Sequence, residues 1–171
     1  MEETLMILSN LKVKKLYGKY DYDVNFNMDI TLIYGTNGCG KTTVLNIITS
    51  IITGSIYKLF SYKFDEIVLN YYDENDKSKM RKIVLSCGEE IEGIKLSFKD
   101  VAVVIDRIQI PEERRRRVDS YDDLYFEEYP ILNEVRREFN YVYLALNRSA
   151  MLSNSDDIIY HQLLQRVVSK E

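Results

Sequence analysis

The run Gly35-Thr36-Asn37-Gly38-Cys39-Gly40-Lys41-Thr42 limits this chain's folding options more than any other stretch of it. It satisfies G-x-x-x-x-G-K-[ST] at every fixed position. Three glycines within six residues suit a backbone that curls its N–H groups toward one point. A helix starting at the end of such a loop adds its own unpaired N–H groups and the positive end of its dipole. The flanks fit that geometry. Ile30 to Tyr34 reads as a short apolar central strand, and Lys41 to Ile52 as a helix stopped by Thr53-Gly54.

A loop of this kind is a phosphate cradle, and the residue roles follow from chemistry. Gly35, Thr36, Asn37, Gly38, Cys39 and Gly40 supply the backbone wall. Lys41 is the catalytic cation bridging β- and γ-phosphates, the Thr42 hydroxyl ligates magnesium, and Thr43 reaches the α-phosphate. The expected ligands are ATP and Mg2+.

The rest of the chain reads as mixed α and β. Leu5 to Phe26 forms two strands, the second alternating through Tyr20, Tyr22, Val24 and Phe26, with Tyr17-Gly18-Lys19 as the turn. An antiparallel meander follows over Phe64 to Phe98: Ile67 to Leu69, a polar turn over Asp73 to Lys79, Ile83 to Leu85, then Ile94 to Leu96. Val101 to Ile105 is a further strand. Helices are expected at Pro111 to Arg117, Ile131 to Phe139 and His161 to Ser169, and a strand at Tyr141 to Leu146. Nothing in the 171 residues marks a linker or repeat, so a single domain over 1–171 is expected. The fold class is α/β: a P-loop NTPase core with parallel strands plus an antiparallel β subdomain.

Composition narrows the partners. A net charge of −4 with pI near 5.2 gives little support to DNA wrapping. Arg114 to Arg117 is basic, but Glu112, Glu113, Asp119, Asp122 and Asp123 cancel much of its field. Cys39 and Cys87 are too few for a disulfide framework or a zinc site, which fits a reducing cytoplasm. No apolar run approaches the roughly 18 residues a membrane span needs. His161, the one histidine, has no ligand partners at suitable spacing and reads as structural.

Within the loop, Gly-Thr-Asn-Gly-Cys-Gly-Lys-Thr-Thr resembles the G-x-N-G-x-G-K-[ST]-[ST] form of the ABC/SMC/RecF group of ATPases. Bacterial AAA family ATPases of the DNA-repair and phage-defence type share it. The hairpin Val13 to Val24 and the later meander look like the elements around the P-loop in those proteins, so the resemblance covers roughly Leu5 to Arg148. It implies that the hairpin turn lies near the adenine, which makes Lys15, Tyr17 and Lys19 candidates for base or ribose contacts. It also implies a Q-loop after Tyr143 to Leu146, with Asn147 standing where glutamine is usual and reaching magnesium through water. Two parts of the family pattern are missing. Leu152-Ser153-Asn154-Ser155 lacks the glycines of the signature motif. Val101 to Asp106 imitates a Walker B strand, but Arg107 occupies the place of the general base.

The resemblance therefore implies the N-terminal lobe of an ATPase head, with hydrolysis completed by a second lobe or a head-to-head homodimer. One alternative is a small P-loop phosphotransferase of the nucleotide-kinase kind, with Asp106 as its Walker B carboxylate. Another is an interaction module that uses nucleotide only to order a dimer surface.

Overall fold

The computed structural model describes residues 5–87, 93–109 and 121–139. Residues 1–141 form one compact unit and 142–171 a second, and all described residues lie in the first. The expected helices at 111–117 and 161–169, the strand at 141–146 and the arginine run at 114–117 fall outside them.

The described strands form one six-stranded sheet: β1 (Met6–Leu16), β2 (Tyr20–Asn25), β3 (Glu66–Asp73), β4 (Asp76–Ser86), β5 (Ile94–Phe98) and β6 (Val101–Ile105). Their order is β2-β1-β3-β4-β5-β6, and all five ladders are antiparallel. Among the described residues three helices accompany the sheet: α1 (Lys41–Ile52), α2 (Tyr121–Glu128) and α3 (Ile131–Glu138), with a 3-10 turn over Ile56–Ser61 after α1.

Period-two burial sets the register. Leu11 and Val13 of β1 sit opposite Leu69 and Ile67 of β3, which face Ile83 and Leu85 of β4, which face Phe98 and Leu96 of β5. All eight side chains are buried, so one face of the sheet is a continuous apolar row. A one-residue slip would turn that row to solvent. The opposite face carries matched charges: Lys14 pairs with its cross-strand neighbour Glu66 at 2.7 Å, and Lys12 with Asp23 at 3.5 Å. Buried Val44, Ile47, Ile48 and Ile51 of α1 and Ile131, Leu132 and Val135 of α3 join the same core. Gly54, at φ 73°, ends α1 as its composition predicts, donating its N–H to Ile51 O at 3.0 Å.

Three expectations change. Residues 30–34 form no strand: no ladder reaches them, and Ile30, Leu32 and Tyr34 are 72%, 80% and 91% exposed. An apolar run becomes a strand only when neighbours take up its N–H and C=O groups, and none of the described strands does so here. The parallel core expected around it is accordingly absent among the described residues. The polar stretch Asp73 to Lys79 is mostly strand rather than turn, because Asp73 pairs with Asp76 and leaves a two-residue turn. The 3-10 turn and α2 were not expected, since neither carries a clear apolar period.

Candidate functional site

The phosphate-loop residues are brought together as the motif requires. β2 ends at Asn25, and the chain crosses through residues 26–40 to α1, whose first residue is Lys41. Gly38 and Gly40 have φ of 87° and 88°, values that a side chain would resist. The loop closes with Cys39 N–H donating to Thr36 O (3.3 Å), and the helix opens with Val44 N–H donating to Gly40 O (2.9 Å). A Cβ on Gly35 would lie 2.7 Å from Cys39 Sγ, so a glycine there lets the thiol fold across the loop.

Lys41 is held over this loop. Its Nζ donates to Gly35 O and to Thr36 O, each at 2.9 Å, and lies 3.9 Å from Cys39 Sγ. The start of α1 has no side-chain cap and no acidic residue in its first turn. Its first N–H groups are therefore left to an external acceptor, with a fixed cation beside them. Thr42 is exposed at the same end. A polyphosphate fits this arrangement: the donors are backbone and ammonium, and no carboxylate of α1's first turn opposes it.

The β1–β2 hairpin forms the other wall. A pocket of about 330 Å³ lies between the hairpin and the loop, lined by Tyr17, Tyr20, Asp21 and Tyr22 on one side and by Gly38 to Gly40 and Thr43 on the other. The hairpin turn is anchored: Tyr17 N–H donates to Lys63 O at 2.6 Å, and its ring meets Tyr62 edge-on at 6.0 Å. Tyr17 lines the pocket. Lys15 does not, since its Nζ pairs with Asp65 at 2.9 Å. Lys19 sits 5.2 Å over the Tyr20 ring. Tyr20, Asp21 and Tyr22 were missed, although the alternation Tyr20, Tyr22, Val24 already placed Tyr22 on the inner face.

The proposed metal ligands are divided. Thr42 is exposed in the first turn of α1, and Asn147 lies outside the described residues. Among the described residues, no group of three or more His, Cys, Asp or Glu could hold a metal by itself. Magnesium here would depend on Thr42 and on phosphate oxygens.

Asp106 follows β6, the edge strand opposite β2 in the sheet order. Its backbone N–H donates to Tyr129 Oη (3.1 Å), and the neighbouring Arg107 donates to Phe60 O (3.1 Å). Those contacts belong to the side of the fold where α3 meets the C-terminal end of α1, at Gly54. Thr42 stands at the other end of that helix, about 18 Å away. None of these contacts joins Asp106 to the phosphate loop, which gives the kinase-like alternative with Asp106 as Walker B carboxylate no support.

Comparison with known families agrees with the loop. Residues 13–165 match the AAA domain, which spans the hairpin, the loop and the sheet. The chain belongs to the AAA domain family. This is an AAA-type P-loop ATPase family, whose domain SMC- and RecF-like ATPases carry, and membership brings ATP binding with it. No curated protein matches the sequence. No helix among the described residues of this AAA domain is long and apolar enough to cross a membrane.

Proposed function

We propose that this AAA domain binds ATP with Mg2+ through Gly35 to Thr42 and acts as one lobe of an ABC/RecF-like ATPase head in the cytoplasm. The observation that carries the reading is Lys41, fixed by Gly35 O and Thr36 O beside an uncapped helix start. Thr42 ligates magnesium, Thr43 takes the α-phosphate, and Tyr17 lies against the base. Hydrolysis draws its signature motif and general base from a second lobe or a second copy, because Leu152 to Ser155 lacks the glycines of the signature and Arg107 occupies the place of the general base. The exposed row Ile30, Leu32 and Tyr34 favours association with such a partner.

Titration calorimetry with ATP tests the binding claim, using wild type and Lys41→Ala, each with magnesium and with EDTA. Wild type is expected to bind with magnesium, and Lys41→Ala at least about tenfold more weakly, the loss of a charge-assisted contact. Equal affinities would sink the proposal. Sedimentation with and without ATP tests association, and an unchanged monomer under both conditions would remove the partner from the reading.

A further inference from the structure

Tyr22 is the point where the hairpin touches the phosphate loop. Its hydroxyl donates to Cys39 O at 3.4 Å. The same ring sits directly on Gly40: a Cβ built there would collide with the phenol oxygen and lie 3.0 Å from Cζ. Two contacts thus fall on a single peptide unit, Cys39–Gly40, which leads into Gly40, the N-cap of α1.

That peptide is trans, like every described peptide bond. In a trans peptide the C=O and the N–H point in opposite directions. A phenol holding Cys39 C=O toward the hairpin turns the Gly40 N–H away from it. Gly40, at φ 88°, has no side chain to fix its own orientation, and α1 has no side-chain cap to do so. The orientation of this donor is set from β2.

We infer that Tyr22 is a positioning residue for phosphate binding: its hydroxyl and ring hold the Cys39–Gly40 peptide so that the Gly40 N–H is available to a phosphate oxygen. This rests on the ATP-binding reading above. Tyr22 acts through the backbone and makes no claim on the base, which distinguishes it from Tyr17. It also explains why glycine is required at position 40 beyond its φ, since any side chain would displace the phenol.

Tyr22→Phe removes the hydroxyl and keeps the ring, so packing is preserved. ATP and inorganic tripolyphosphate, both with magnesium, are titrated into wild type, Tyr22→Phe and Lys41→Ala, and ligand-free thermal unfolding is recorded for each. The expected result is an unchanged melting temperature for Tyr22→Phe, with both ligands weakened to the same extent, about three- to tenfold for one hydrogen bond. Wild-type affinity in Tyr22→Phe would overturn the inference. So would a loss confined to ATP, which would assign Tyr22 to the base pocket, or a loss accompanied by a lower melting temperature. The Lys41→Ala arm separates the two claims. If it binds as wild type does, the ATP-binding reading itself fails; if it is weakened while Tyr22→Phe is not, only the role of Tyr22 fails.

Discussion

Glu138, at the end of α3, gathers three polar partners, Arg81, Tyr71 and Lys99. Its Oε1 accepts from Arg81 at 2.6 Å and from the Tyr71 hydroxyl at 3.4 Å, and its Oε2 pairs with Lys99 at 3.0 Å. The carboxylate is 10% exposed, whereas its cationic partners reach solvent, so the cluster is worth less than a fully buried triad. Glu138→Ala would also strip the Tyr71 hydroxyl of its acceptor. A loss of about 2 kcal/mol in urea unfolding is expected, without change in ATP affinity. Burial, reinforced by the Glu138 charge, pushes the Tyr71 phenol well above its usual range. A folded-state pKa above the unfolded one gives stability that is intact below the unfolded value, about 10, and drains away as pH rises past it. Unfolding free energy should therefore fall above about pH 10, and Tyr71→Phe should flatten that fall. An identical slope in the variant would rule out Tyr71 as its source.

Among the elements, α2 owes its place to aromatic contacts that no local pattern announces. Tyr57 from the 3-10 turn stacks on Tyr125 at 5.0 Å and on Tyr121 at 6.1 Å, and Tyr125 stacks on Tyr129 at 6.2 Å. The hydroxyls of Tyr125 and Tyr129 accept from the N–H groups of Ile108 (2.9 Å) and Asp106 (3.1 Å), tying the chain after β6 to these helices. Tyr125→Phe should speed hydrogen exchange at Ile108 alone, and Tyr129→Phe at Asp106 alone. Faster exchange at both amides in either variant would mean that the stack moves as a unit. The strands were readable because their burial alternates: Leu11, Val13, Ile67, Leu69, Ile83 and Leu85 follow a period of two. The polar half of β4 was not, because Lys77 to Met80 are all exposed and show no apolar alternation. In α2, Asp122, Asp123, Glu127 and Glu128 leave only Tyr125 buried, so its sequence has no stripe to read.

For the molecule as a whole, the loop was legible and its setting was not. Gly35 to Thr42 specifies its own conformation through local backbone demands, and the structure keeps it. Residues 30–34 depend on neighbours brought from elsewhere, and a sequence window cannot supply those. Binding at the loop should stabilise the whole unit, because it ties β2 to α1. At a hundredfold excess over its dissociation constant, ATP should add about 2.7 kcal/mol, or roughly 5–10 °C in melting temperature for a chain of this size. Lys41→Ala, binding about tenfold more weakly, should cut the gain to about 1.4 kcal/mol at the same ATP concentration. An undiminished shift in the variant would place the binding elsewhere.

Lys41 stands ready before any ligand arrives, and this has a consequence for which cation can serve there. Ordering a free lysine costs up to about 2 kcal/mol of rotamer entropy at the moment of encounter. Here Gly35 O and Thr36 O have already confined the side chain. The ammonium's three tetrahedral N–H vectors can serve two carbonyls and still leave one for an anion, a division of labour that arginine's flat fork cannot copy. Lys41→Arg, which conserves charge, should therefore bind ATP nearly as poorly as Lys41→Ala.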